Sequence, residues 1–258
     1  MITKHIYLCD NSLDGIFTAI YIGWSSKYGH ANIKIEEKLE GSKYSNIELF
    51  SEYISVDTDL TLSSKVASSI KSKISEEAYE MVCRVALSDF CGKADLIYRF
   101  LILGFHVGRS ITEQMSNEIV NQIFRINRYV SREAFHCIEF LRFSEQDNGL
   151  LTSVIHPNNN VLTLITPHFA DRFPLERFMI YDENRQLASF HVPGNSWILA
   201  SVPEIISQDL EHISFCEDDY RELWKIFHHN IAIKERINYK LQRNNLPLRY
   251  RRDMTEFK

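Results

Sequence analysis

The chain has 258 residues, of which 45% are hydrophobic and 24% charged, as in an ordinary globular protein with a substantial core. No run approaches the roughly 20 apolar residues of a membrane-spanning helix, and the first residues lack the basic region and cleavage site of a signal peptide. We therefore expect a cytoplasmic protein that makes no contact with a membrane.

The net charge of −5 conceals an uneven distribution along the chain. Residues 220–258 contain ten lysines and arginines against four aspartates and glutamates, a local balance of +6, which leaves −11 for the other 219 residues. A basic segment on an acidic protein indicates either a polyanion-binding surface or a tail that docks on its own acidic domain. Charge alone favours neither.

Residues 1–62 predict a small α/β unit, because strand and helix patterns alternate there. The strand at 5–9 is followed by Asn11 and Ser12, which are in position to cap a helix over residues 13–24. Two further strands are predicted at residues 33–35 and 53–56.

Residues 63–138 predict a helical region, because their apolar positions recur with a period near 3.6. Ser63 and Ser75 are placed to cap its first two helices. Gly104 and Gly108 are expected to end the third helix, and a long fourth helix should follow.

Residues 139–258 predict an α+β domain with an antiparallel sheet, packed helices and the basic C-terminal segment. The turn at 146–149 joins two strands in a hairpin, and a helix is expected over 158–172. Three more strands are predicted at residues 178–181, 187–192 and 197–202. The fold class predicted for the whole chain is α+β.

Four separated segments match a known family pattern in the order in which that family carries them. They are LTLITPHFADRF at 162–173, FMIYDENR at 178–185, LWKIF at 223–227 and IAIKERINYKLQRNNLPLRYRRDMTEF at 231–257. With these motifs the chain resembles a family of DNA-metabolism proteins that is encoded beside a radical-SAM protein of DNA modification or repair. A related domain of that family is also fused to uracil-DNA-glycosylase-like domains.

The resemblance implies a DNA-associated accessory protein that holds or presents DNA to a radical-SAM partner, which performs the chemistry. Two alternatives stay open. One is an enzyme that acts on a damaged base or a phosphodiester, and the other is an assembly subunit of the partner that makes no DNA contact. The non-catalytic accessory role is favoured over the enzyme.

Polar residues in and after the helix of residues 158–172 form the first candidate site. His168 and Arg172 are four residues apart and so share a helix face, and arginine and histidine side chains together suit a phosphate site. Catalysis is the second hypothesis, with Asp182 orienting His168 for acid–base chemistry. The third is an ion pair in which Asp182 takes an arginine and pins helix to strand. The further arginines of this candidate site are Arg177 and Arg185.

The basic C-terminal segment is the second candidate site, for contact with nucleic acid. We expect Arg243, Arg249, Arg251 and Arg252 to contact phosphates, and Tyr250 to stack on a base. The alternative is a solvated basic face or an arm that docks on protein. The predicted residues of this segment are Lys234, Arg236, Asn238, Lys240, Gln242, Arg243, Arg249, Tyr250, Arg251 and Arg252.

Motifs for a metal or a nucleotide cofactor are missing from the sequence. The five cysteines include no CxxC pair, and no GxGxxG, GKS or GKT loop occurs. Adjacent His228 and His229 point about 100° apart on a helix, which does not suit a shared metal. We therefore expect no metal and no cofactor, and the chain is not itself expected to be the radical-SAM enzyme.

Overall fold

The structure, a computed structural model, describes residues 4–38, 48–146, 149–202, 219–231, 236 and 238–257. The chain divides into two compact units, Met1–Ser131 and Arg132–Lys258. Each unit combines a β-sheet with packed helices, so the predicted α+β class is confirmed. The three-part division at residues 62 and 138 stays a prediction. In the described ranges, no helix is long and apolar enough to cross a membrane.

The first unit is a parallel three-stranded sheet packed with helices. The strand order is β2-β1-β3, and Tyr7 in the central strand lies opposite Ile35 and Ile54. Helix α5 continues past the boundary between the units. The elements are β1 (Lys4–Cys9), α1 (Leu13–Ser25), β2 (Ile33–Glu37), β3 (Ser51–Ser55), α2 (Leu60–Lys73), α3 (Glu76–Ala86), α4 (Lys93–Val107) and α5 (Glu118–Phe140).

Side-chain caps determine where three of these helices begin. Ser12 and Ser75 accept hydrogen bonds from backbone amides and cap α1 and α3, as predicted. The predicted cap of α2 at Ser63 is wrong, because the helix begins three residues earlier and Asp59 caps it. Ser63 lies buried inside the helix, where its hydroxyl donates to the Asp14 carboxylate at 2.5 Å.

The two glycines of the third helical segment have different roles. Gly108 ends α4 in a conformation with φ +76°, which favours glycine, as predicted. Gly104 does not end the helix but lies within it. A Cβ atom at Gly104 would lie 2.7 Å from Cδ1 of Ile74, the residue that follows α2. Any larger residue at Gly104 would therefore require the Ile74 side chain to move.

The second unit is built on a five-stranded sheet with the order β4-β5-β6-β7-β8. Three strand pairs are antiparallel, including the predicted hairpin of β4 and β5, but β5 and β6 are parallel. The sheet is therefore mixed, because α6 crosses over between β5 and β6 and returns the chain in the same direction. The elements are β4 (Ser144–Glu145), β5 (Leu151–Ile155), α6 (Leu162–Arg172), β6 (Phe178–Asp182), β7 (Leu187–His191), β8 (Ile198–Ser201), α7 (Asp219–Ile231), α8 (Tyr239–Asn245) and α9 (Leu248–Arg251).

Helix α6 covers one face of this sheet. Its buried residues Ile165 and Phe169 share a hydrophobic core with Phe178 and Ile180 of β6. Tyr250 of α9 belongs to the same core, so the C-terminal segment is part of the folded unit. The parallel arrangement places the carboxyl ends of β5 and β6 at one edge of the sheet.

Candidate functional site

Charged and polar side chains converge where the parallel strands β5 and β6 end. His156 directly follows β5, while Asp182 is the last residue of β6 and Glu183 follows it. The strand register pairs Ile155 with Asp182, so the residues after both strands emerge side by side. In open α/β sheets the carboxyl ends of parallel strands are the usual place for binding sites.

His156 lies between two carboxylates at this edge. Its Nε2 contacts Oε2 of Glu183, and its Nδ1 lies 2.9 Å from Oδ1 of Asp253. Both ring nitrogens of His156 are thus engaged by carboxylate oxygens. Arg252 adds a cation, 3.5 Å from Glu183 and 3.4 Å from Asp253. These contacts attach the residues after α9 to the ends of the strands.

Glu133 of α5 is a second anchor of the same edge. Its carboxylate, only 1% exposed, accepts hydrogen bonds from the backbone amides of Asn158 and Asn159 at 3.1 and 2.8 Å. The side-chain amide of Asn159 donates to it at 2.5 Å, and Arg249 lies 3.1 Å away. The loop after β5 and the C-terminal segment are therefore held by one buried carboxylate.

Arg185 ties the same loop to the end of β6. Its guanidinium donates to Asp182 at 3.0 Å and to the carbonyl of Pro157 at 3.1 Å, and it also bonds the carbonyl of Asn158. Burial raises the pKa of the Asp182 carboxyl, while the charge and hydrogen bond of Arg185 oppose that rise. The other oxygen of Asp182, Oδ1, is buried and has no hydrogen-bond partner among the described residues.

The predicted cluster of His168, Arg172 and Asp182 is divided in the structure. His168 and Arg172 are both exposed on α6, beside the rings of Phe169 and Phe173 respectively. Asp182 is fully buried, and in the described part of the chain its hydrogen-bonding side chain is that of Arg185. Asp182 forms its ion pair with Arg185 of the turn that follows β6, so among the described residues it does not pair with an arginine of α6. It also makes no hydrogen bond there that could orient His168.

Arg177, the remaining arginine of that candidate site, is exposed in the turn that leads into β6. Its guanidinium lies near Gly149 of the β4–β5 hairpin. The three arginines of this candidate site therefore lie in two environments. Arg172 and Arg177 are exposed, whereas Arg185 belongs to the internal network.

The residues predicted after Leu248 are largely docked on the second unit. Tyr250 is 7% exposed, and its ring packs against His136 and Phe140 with centroids 5.4 and 5.6 Å apart. Burial raises the pKa of its hydroxyl, which accepts a 2.6 Å hydrogen bond from Arg249. The expectation that Tyr250 stacks on a base is therefore corrected, because its ring is used in the core. Arg251 also packs inward, with its guanidinium 4.8 Å from the centroid of Phe257.

The residues predicted before Leu248 include exposed cations. Lys240 and Arg243 of α8 and the preceding Arg236 are exposed and form no ion pair with the described residues. Gln242 is half-buried, and Asn238 caps α8 by accepting a hydrogen bond from the backbone of the helix. Lys234 lies outside the described residues. Tyr239, which was not among the predicted residues, is 71% exposed in the same helix.

Four members of the network were missed from the sequence: Glu133, His156, Glu183 and Asp253. His156 is 27 residues from Glu183 and 97 residues from Asp253, so no local spacing connects them. The Asp-Glu-Asn turn after β6 was recognised only as a turn. Among the described residues, no three His, Cys, Asp or Glu side chains are grouped so that they could hold a metal ion.

Comparison with known proteins places the chain in a family. No curated protein matches it. A family model described as a domain of unknown function, DUF4130, matches residues 92–256, which is more than half of the chain and includes the whole network described above. The chain therefore belongs to the DUF4130 family.

Proposed function

We propose that this protein holds nucleic acid as a non-catalytic accessory subunit in DNA repair or modification, together with a radical-SAM partner. The nucleic-acid contact is argued from the cations of the C-terminal segment. The repair context and the partner come from the family resemblance of residues 162–257. The main alternative is an assembly subunit that meets the partner and does not touch DNA.

The observation that carries the proposal is a division among the cations of the C-terminal segment. Arg249 and Arg252 lie within 4 Å of carboxylates of their own unit, so their charge is already compensated. Lys240 and Arg243 are exposed and form no ion pair with any described residue. A cation without a carboxylate partner can neutralise a phosphate and release its condensed counterion. Lys240 and Arg243 are therefore the proposed phosphate contacts.

Tyr239 gives α8 a stacking group beside these cations. Tyr239 and Arg243 are four residues apart, and Lys240 and Arg243 are three apart, so all three side chains lie on adjacent parts of one helix surface. An exposed aromatic ring next to cations is the combination used to bind single-stranded nucleic acid, because bases stack on the ring while phosphates meet the cations. Tyr239 replaces Tyr250 as the proposed stacking residue.

The accessory role is supported by the state of the groups that could perform acid–base chemistry. Both ring nitrogens of His156 are engaged by carboxylates, and Asp182, which is paired with Arg185, is fully buried and so out of reach of a substrate. A general base needs a free nitrogen or oxygen within reach of a substrate proton. The network at the ends of β5 and β6 is therefore proposed to attach the C-terminal segment and thereby to position α8.

The experiment that separates the proposal from the alternative measures DNA binding by three samples. Fluorescence anisotropy of a labelled oligonucleotide is recorded with this chain alone, with the radical-SAM partner alone and with their mixture, each over a range of salt concentration. We expect this chain alone to bind DNA, with an affinity that falls steeply as salt rises. Complex formation with the partner, accompanied by no DNA binding of this chain alone at low salt, would contradict the proposal and favour the assembly subunit.

A further inference from the structure

An open groove lies between helices α1, α2 and α4 of the first unit, with a volume of about 470 Å³. This volume is typical of sites for small molecules, which are lined mainly by apolar and aromatic side chains with a few polar groups. Tyr21, Trp24 and Phe105 contribute aromatic surface, and Lys65 and Lys73 contribute charge. The groove therefore combines a flat apolar lining with cations.

The aromatic lining is fixed by contacts within the unit. The ring of Trp24 meets the rings of His30, Tyr98 and Phe105 edge-on, with centroids 4.5, 6.3 and 5.3 Å away. Trp24 nevertheless keeps 38% of its surface exposed. Its ring is thus held in place while part of its surface stays exposed, and a flat ligand could cover that part by stacking.

The two lysines of the groove meet no carboxylate within ion-pair distance among the described residues. Lys65 and Lys73 form no ion pair with the described residues, and Lys65 lies 5.6 Å from the ring centroid of Tyr21. Lys71 of the same helix differs, because it pairs with Glu76 at 2.8 Å and lies over the ring of Tyr79. Lys65 and Lys73 are eight residues apart, which is about 12 Å along the helix axis at 1.5 Å per residue.

We propose that this groove binds a nucleotide unit, with the base against the aromatic lining and the phosphate at Lys65 or Lys73. An aromatic ring system stacks favourably on tyrosine and tryptophan, and an unpaired ammonium is a good partner for phosphate. The site is independent of the cations of α8, because every lining residue belongs to the first unit. A free nucleotide and the terminal nucleotide of a strand carry the same chemistry.

Calorimetric titration of the full chain with adenosine monophosphate, adenosine and inorganic phosphate tests this site. We expect adenosine monophosphate to bind at least tenfold more tightly than either fragment, because only it engages the aromatic lining and a lysine together. A short phosphorylated oligonucleotide shows whether the ligand is a free nucleotide or the end of a nucleic-acid strand. Binding of this oligonucleotide at least as tight as that of the mononucleotide assigns the groove to a strand, and weaker binding assigns it to a free nucleotide.

Matched variants locate the binding. Lys65→Gln with Lys73→Gln should weaken binding of adenosine monophosphate at least tenfold, whereas Lys71→Gln should leave it unchanged. Ser69→Phe should abolish binding because Ser69 lines the groove, whereas Ser68→Phe, outside the lining, should not. Equal affinity for adenosine and adenosine monophosphate, or unchanged binding in the Lys65 and Lys73 variant, would overturn the proposal. Circular dichroism confirms that each variant is folded.

Discussion

Glu133 is a single buried carboxylate that joins three separate parts of the second unit. It accepts hydrogen bonds from Asn158 and Asn159 in the loop after β5 and pairs with Arg249 from the C-terminal segment. Its removal leaves two backbone amides and one arginine without their carboxylate. We therefore expect Glu133 to contribute to the stability of the second unit and not to the binding of a ligand.

Glu133→Ala is expected to lower the free energy of unfolding of the second unit by roughly 3 kcal/mol or more, because one partner of a buried charged network is removed. Urea denaturation followed by circular dichroism measures the change. Glu139→Ala in the same helix is the control, since Glu139 is exposed and meets His136 at the surface. Its effect should stay within about 0.5 kcal/mol. Equal effects of the two substitutions would contradict the anchoring role of Glu133.

The helix caps show how well the sequence predicts where individual helices begin. Ser12 and Ser75 were predicted as caps because cap and helix are close in sequence, and both predictions are confirmed. At α2 two good caps compete, Asp59 and Ser63, four residues apart. Distant contacts decide between them, because Thr18 exchanges hydrogen bonds of 3.1 Å with the backbone of Asp59.

The candidate site depends still more on such distant contacts. The sequence predicts both helix α6 and strand β6. The side chains that meet at the carboxyl ends of β5 and β6, however, come from α5, from two loops and from the residues after α9. Residues 97 positions apart, His156 and Asp253, become partners only through the strand order and the docking of α9. The sequence shows which C-terminal residues are cations but does not indicate which of them have carboxylate partners.

Ser75→Ala tests the role of one cap. The Ser75 hydroxyl accepts a 3.0 Å hydrogen bond from the amide of Ala78, and its loss should cost about 1 kcal/mol of stability in the first unit. Ser64→Ala is the matched control, because Ser64 is exposed within α2 and its hydroxyl donates a hydrogen bond to the carbonyl of Leu60 in the same helix. The control should change stability by less than about 0.5 kcal/mol, since alanine suits a helix interior. Thermal denaturation of the two variants measures the difference, and equal melting temperatures would contradict the cap.

Positive charge is distributed unevenly over the whole molecule, and the structure explains the role of some of the C-terminal cations. The C-terminal segment has a local balance of +6 against −11 for the rest of the chain. Arg249 and Arg252 use this charge to dock the segment onto acidic side chains of the second unit. The proposal that the protein holds nucleic acid depends on the exposed cations of α8, Lys240 and Arg243.

The most direct test of this claim compares two double variants of equal charge. Lys240→Gln with Arg243→Gln removes the exposed cations of α8, and Arg125→Gln with Arg128→Gln removes two exposed cations of α5. The slope of log affinity against log salt concentration is measured for single-stranded DNA, at a temperature where both variants are folded. The account predicts that the first variant flattens the slope by about 1.4, at roughly 0.7 per phosphate contact, while the second leaves it unchanged. An unchanged slope in the first variant, or an equal change in both, would contradict the account.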